Sequence, residues 1–174
     1  MQTNQKNIIL IGFMGVGKTT VGKELARYLG MTFVDLDQAI ESEAQQTIVD
    51  IFRDEGESGF RLREQKLFLE LSEQRGTIIS LGGGAFLQEE IQRSSLLTSL
   101  VIFLDIDFSI WSERLPLLIK DRPLLQKKSK KEIKELYELR RETYLHAHYT
   151  INTERLTPPQ TAEKIAKTIQ YADA

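Results

Sequence analysis

The stretch Gly12-Phe-Met-Gly-Val-Gly17-Lys18-Thr19 has the residue types and spacing of a polyphosphate cradle, G-x-x-x-x-G-K-[ST]. Glycines allow positive φ and close approach, so the loop's N–H groups at Gly15, Val16 and Gly17 can converge on an anion. The helix expected from Lys18 points its positive end at the same place. In such a cradle Lys18 bridges the β- and γ-phosphates as a mobile charge, Thr19 offers its hydroxyl to Mg²⁺, and Thr20 adds a phosphate contact. A glycine turn before Lys-Thr is also an ordinary surface loop, but the context here is the one the motif requires. The apolar tetrad Ile8 to Ile11 precedes it, and Val21, Leu25, Tyr28 and Leu29 follow at helical spacing.

Four further groups could do chemistry. Asp35-Leu36-Asp37 closes a second apolar run. Period-two alternation predicts both carboxylates on one side, one behind a Mg²⁺-bound water and one accepting a proton or hydrogen bond from a substrate hydroxyl. Either aspartate would also serve as a helix N-cap. The segment Asp54 to Glu64 holds Gly56 and Gly59 and then Arg61 and Arg63. An arginine fork suits a carboxylate, although Arg61 could equally pair with Glu64 or Gln65 on a solvated face. Gly82-Gly83-Gly84 stands at the exit of a third strand, where the chain can press against a ligand. That strand ends in Ser80 instead of the second acidic residue usual in NTPases, which leaves Asp35 as the nearest support for a metal. Arg122, stiffened by Pro123, could swing over bound phosphates as part of a lid. Arg140 and Arg141 lie one turn before Tyr144, so one of them can face the same rim. His146 and His148 are the only histidines, and at spacing i, i+2 on a helix end they diverge, which argues against a metal site.

Short apolar runs alternating with longer amphipathic stretches position these groups, as in a parallel sheet wrapped by helices. Strands are predicted near 7–13, 32–35, 77–81, 100–104 and 149–152. Helices are predicted near 18–29, 36–44, 47–54, 58–74, 88–97, 107–119, 130–147 and 159–171. Right-handed crossovers put each loop that follows a strand on one rim, where ligands of open α/β sheets collect. At 174 residues the chain suits a single domain, 1–174. A net charge of −2 gives no electrostatic basis for a nucleic-acid or membrane surface. The absence of cysteine excludes disulfides and thiolate chemistry. The polar opening lacks the apolar core of a signal peptide, and no run is long enough to span a bilayer, so the expected location is cytoplasmic.

Taken together and in order, Gly12 to Thr20, Asp35-Leu-Asp37, Gly59-Phe-Arg61, Gly82-Gly-Gly84-Ala, Arg122-Pro-Leu-Leu and Arg140 four before Tyr144 resemble the shikimate kinase family over nearly the whole chain. The resemblance implies an α/β three-layer P-loop fold, with a five-stranded parallel sheet of order 2-3-1-4-5. It implies a lid at about 112–124, a substrate-binding region at about 35–62, and a monomer. The implied activity is ATP-dependent phosphorylation of the 3-hydroxyl of shikimate, with Mg²⁺. Asp37 would contact ring hydroxyls, Arg61 and Arg140 would hold the carboxylate, and Gly83, between Gly82 and Gly84, would donate its N–H to the substrate. Arg122 would close over the phosphates, Thr19 would bind the metal with Asp35 behind it through water, and Arg114 and Arg155 would flank the adenine. Glu142 stands where the family often has proline, which leaves Arg140 and Arg141 both open as the carboxylate ligand. The alternatives are a gluconate-kinase-like enzyme, which shares the phosphate loop and lid, and a non-catalytic nucleotide-binding module.

Overall fold

The structure is a computed structural model that describes residues 5–172. Its centre is β1 (Ile8–Ile11), four buried apolar residues flanked on both sides. Such a run has no polar face to offer water and belongs inside a parallel sheet. It pairs in parallel with β3 (Thr77–Ser80) and β4 (Leu100–Asp105). Outside them lie β2 (Thr32–Asp35) and β5 (Tyr149–Asn152), giving the order β2-β3-β1-β4-β5. Asp35 stands beside Ser80 in the register, so the second and third strands end together on the rim where the glycine loop leaves β1.

Two helices pack together on one face, α1 (Lys18–Leu29) and α9 (Pro158–Ala172), while α3 (Ile48–Ser72) packs on α4 (Glu89–Thr98). Between them in sequence come α2 (Leu36–Ala44), α5 (Phe108–Ser112), α6 (Leu115–Leu118), α7 (Pro123–Gln126) and α8 (Lys130–Tyr144). A capping box fixes the start of α8. Ser129 accepts from the Glu132 N–H, and Glu132 accepts from the Ser129 N–H. This places Ile133, Tyr137, Arg140 and Tyr144 on its buried side.

The helices predicted near 47–54 and 58–74 both form, as the two segments of α3 on either side of a break at Gly56 (φ 71°, ψ −178°), a conformation open to glycine alone at no cost. Two other expectations need correction. The helix predicted over 107–119 is broken into α5, α6 and a 3-10 turn at Ile119–Asp121, because Pro116, in the first turn of α6, has no N–H to continue the ladder from α5. Asp35 and Asp37 do not alternate along a strand, since Asp35 is the N-cap of α2 and Asp37 already lies in its first turn. Cap and first turn still bring both carboxylates to the rim.

Candidate active site

The phosphate loop opens from β1 with positive φ at Gly12, Gly15 and Gly17. Lys18 folds back over it, its Nζ donating to the carbonyls of Gly12 (2.6 Å) and Phe13 (3.1 Å). Burial, with the Arg122 guanidinium nearby, lowers the Lys18 ammonium to about 8. Thr19 Oγ1 donates to Asp35 Oδ2 at 2.7 Å, while Asp35 Oδ1 accepts from the Gln38 N–H at 3.1 Å. One carboxylate therefore caps a helix and orients the hydroxyl at the head of the loop, so the capping reading of Asp35 is realised. This pair of hard oxygen donors beside the cradle fits a hydrated Mg²⁺.

A cavity of about 310 Å³ lies over the loop, lined by Lys18, Thr19, Thr20, Asp35, Asp37 and Arg122 among others. A second, of about 330 Å³, adjoins it and is lined by Arg61, Glu64, Arg140 and the apolar wall of Ile48, Val49, Phe60 and Leu124. Both cavities share Met14, Asp37, Gly82, Gly83 and Arg122. Asp37 thus stands at the boundary, and burial followed by the charge of Asp35 holds its carboxyl above the usual carboxylate range.

The three glycines after β3 are the floor on which the second cavity is built. A β-carbon on Gly82 would lie 2.7 Å from Oδ1 of Asp37, one on Gly83 2.8 Å from Nη1 of Arg140, and one on Gly84 2.5 Å from Nη2 of Arg61. Each glycine seats one charged side chain in turn. Arg61 follows the kink in α3, its Nη1 bonded to Glu64 at 2.7 Å. Arg140 is 9% exposed, lies 6.0 Å from the Phe13 ring, and keeps a buried Nε with no hydrogen-bond partner among the described residues. An unpaired buried guanidinium is costly unless something supplies the missing acceptor. Arg141 is elsewhere, its Nε and Nη2 both bound to Asp105. The geometry thereby separates the two arginines that spacing left open.

The remaining expected residues are less tightly placed. Arg114, exposed, donates Nη1 to the Gly15 carbonyl at 3.0 Å. Arg155 is exposed in a left-handed turn after β5 (φ 60°) and lines neither cavity. His146 and His148 lie beyond the end of α8 and separate, one beside Gln92 and one accepting from the Val101 N–H. Among the described residues no cluster of histidine and acidic side chains could hold a metal by itself, and no helix is long and apolar enough to cross a membrane.

Two contributors escaped the sequence reading. Glu64 is 1% exposed and accepts from both Arg61 and Gln88, the latter at 2.6 Å. The Arg61–Glu64 spacing was visible, but its burial was not, and Gln88 is 24 residues away with no local signal. Another cavity, about 580 Å³ between α5, α8 and β5, lies outside this site. Two of its carboxylates are already engaged, Asp105 by Arg141 and Asp107 by the Ser109 N–H.

The profile of the shikimate kinase family matches residues 14–170. A shikimate kinase of Oceanobacillus iheyensis is 43% identical over 168 residues, covering 97% of this chain and 92% of that protein. One of Bacillus licheniformis is 42% identical over 170 residues, covering 97% and 96%. Among solved structures, the shikimate kinase of Acinetobacter baumannii in complex with shikimate superposes with a TM-score of 0.89 at 36% identity, over 97% of this chain and 94% of that one.

Proposed function

The chain belongs to the shikimate kinase family and has the fold and the phosphotransferase activity of that family, and we propose the following roles for its residues. The observation that carries them is the glycine floor, where Gly82, Gly83 and Gly84 seat Asp37, Arg140 and Arg61 side by side against the phosphate cradle.

ATP is bound by the N–H groups of Gly15, Val16 and Gly17, by Lys18, Thr19 and Thr20, with Arg114 and Arg155 beside the base. Shikimate occupies the second cavity. Arg61 and Arg140 take its carboxylate through their guanidinium groups. Glu64 holds Arg61 in place, and Asp37 orients the 3-hydroxyl, with the Gly83 N–H as a further donor. The hydroxyl oxygen forms a bond to the γ-phosphorus as the bond to the β–γ bridging oxygen breaks, and ADP leaves. Asp37, whose carboxyl is held above the ordinary range, accepts the hydroxyl proton. Lys18 and Arg122 offset the charge on the phosphoryl oxygens. Thr19 directly, and Asp35 through water, would hold Mg²⁺, which would offset the charge developing on the phosphoryl oxygens. The segment at about 112–124, which carries Arg122, closes over the site and excludes water as a competing acceptor.

A coupled ADP-release assay with shikimate and gluconate as alternative acceptors tests this reading. Turnover of shikimate alone supports it; preferential turnover of gluconate overturns it.

A further inference from the structure

The phosphate loop contains a tight turn whose orientation the motif residues do not themselves fix. The Val16 N–H bonds back to the Phe13 carbonyl at 3.2 Å, and Gly15, third in the turn, has φ +73° while Met14 keeps negative φ. That is a type II turn, distinguished from type I by which way its central peptide, Met14–Gly15, is flipped. In a trans peptide the C=O and the following N–H point in opposite directions. Whatever holds the Met14 carbonyl outward therefore aims the Gly15 N–H inward, at the phosphates.

The group that holds it is Trp111. This is the chain's only tryptophan, and its indole Nε1 donates to the Met14 carbonyl at 2.7 Å in a fully buried position. The ring is wedged edge-on to Phe13 (4.9 Å) and stacked on Phe108 (5.6 Å), which fixes its angle. On the next peptide Arg114 takes the Gly15 carbonyl, and Leu118 closes on Gly15 so tightly that a β-carbon there would meet its Cδ1 at 2.6 Å.

We infer that Trp111 is a positioning residue for ATP: its indole N–H locks the Met14–Gly15 peptide in the flipped state that turns the Gly15 N–H toward the phosphates. The inference rests on the cradle binding ATP as proposed above. Trp111→Phe keeps an aromatic ring at the stack and removes the donor together with part of the indole's volume, so a melting curve accompanies the kinetics. Loss of one neutral hydrogen bond predicts a rise of about 3- to 10-fold in KM for ATP with KM for shikimate unchanged. An unchanged KM for ATP, or equal rises in both constants, would overturn it. A second measurement uses the unaltered protein, so a folding failure of the variant decides nothing. The single indole ¹⁵N–¹H resonance should shift on titration with ADP and Mg²⁺ and stay in place with shikimate alone; an indole signal indifferent to saturating ADP would also refute the assignment. Failure of the ATP reading itself is distinguishable, because the unaltered enzyme would then show no ATP-dependent turnover.

Discussion

A β-carbon on Gly83 would stand 2.8 Å from Nη1 of Arg140. Gly83 is outside the left-handed region, so alanine is permitted there by the backbone. What must give is the guanidinium, hemmed in by the Phe13 ring on one side, because the Gly83 backbone is held by Tyr144, whose hydroxyl donates to the Gly83 carbonyl.

Gly83→Ala should therefore leave the fold intact and act on acid binding. Displacing one charge-assisted contact predicts a rise of about tenfold or more in KM for shikimate, with KM for ATP within about twofold of the parent. Steady-state kinetics with each substrate varied in turn checks this, and a melting curve separates it from general destabilisation.

Asp35 combines two duties that substitution can separate. Asparagine caps helices as well as aspartate does, whereas alanine costs about 1 kcal/mol. Asp35→Asn should keep its melting temperature but need more Mg²⁺ for half-maximal rate, since the charge behind Thr19 is gone. Asp35→Ala should lose both. Thermal melts paired with Mg²⁺ titrations of the rate provide the comparison.

The Lys18 ammonium, lowered to about 8 by burial and by Arg122, loses its proton as pH rises through that value. In the free enzyme the charged form needed for phosphate binding is thus depleted above about pH 8, and kcat/KM for ATP should fall there. Bound triphosphate is negative and restores the charged form, so kcat at saturating ATP should hold to higher pH. Lys18→Arg, always charged, should show no such alkaline limb in its residual activity, and Lys18→Met should be inactive.

Much of this site could be read from residue order. The phosphate loop is legible because its geometry is local: glycines, lysine and threonine act within one turn, between a strand and a helix whose periodicities announce them. The sheet and its rim followed from the same alternation. Asp37 was found for a partly mistaken reason, since it reaches the rim from the first turn of α2 and not by strand alternation. Contacts between distant segments were not legible. Nothing local says that Gln88 will meet Glu64 or that Trp111 will meet Met14, separated by 97 residues. Nor did adjacent Arg140 and Arg141 reveal which would be free. That was decided by Asp105, which ends β4 and captures Arg141 in a fork, leaving Arg140 on the buried face of α8. The break of the 107–119 segment was legible, since Pro116 lacks the N–H that would continue the helix.

The most direct test of the anion pocket is the ratio of kcat/KM for shikimate to that for its uncharged methyl ester, measured for the parent enzyme and for Arg61→Ala/Arg140→Ala. The parent should prefer the free acid by about 100-fold or more, the worth of two charge-assisted contacts, and the double variant should show almost no preference. An undiminished preference in the double variant would contradict the assignment of those two arginines to the carboxylate.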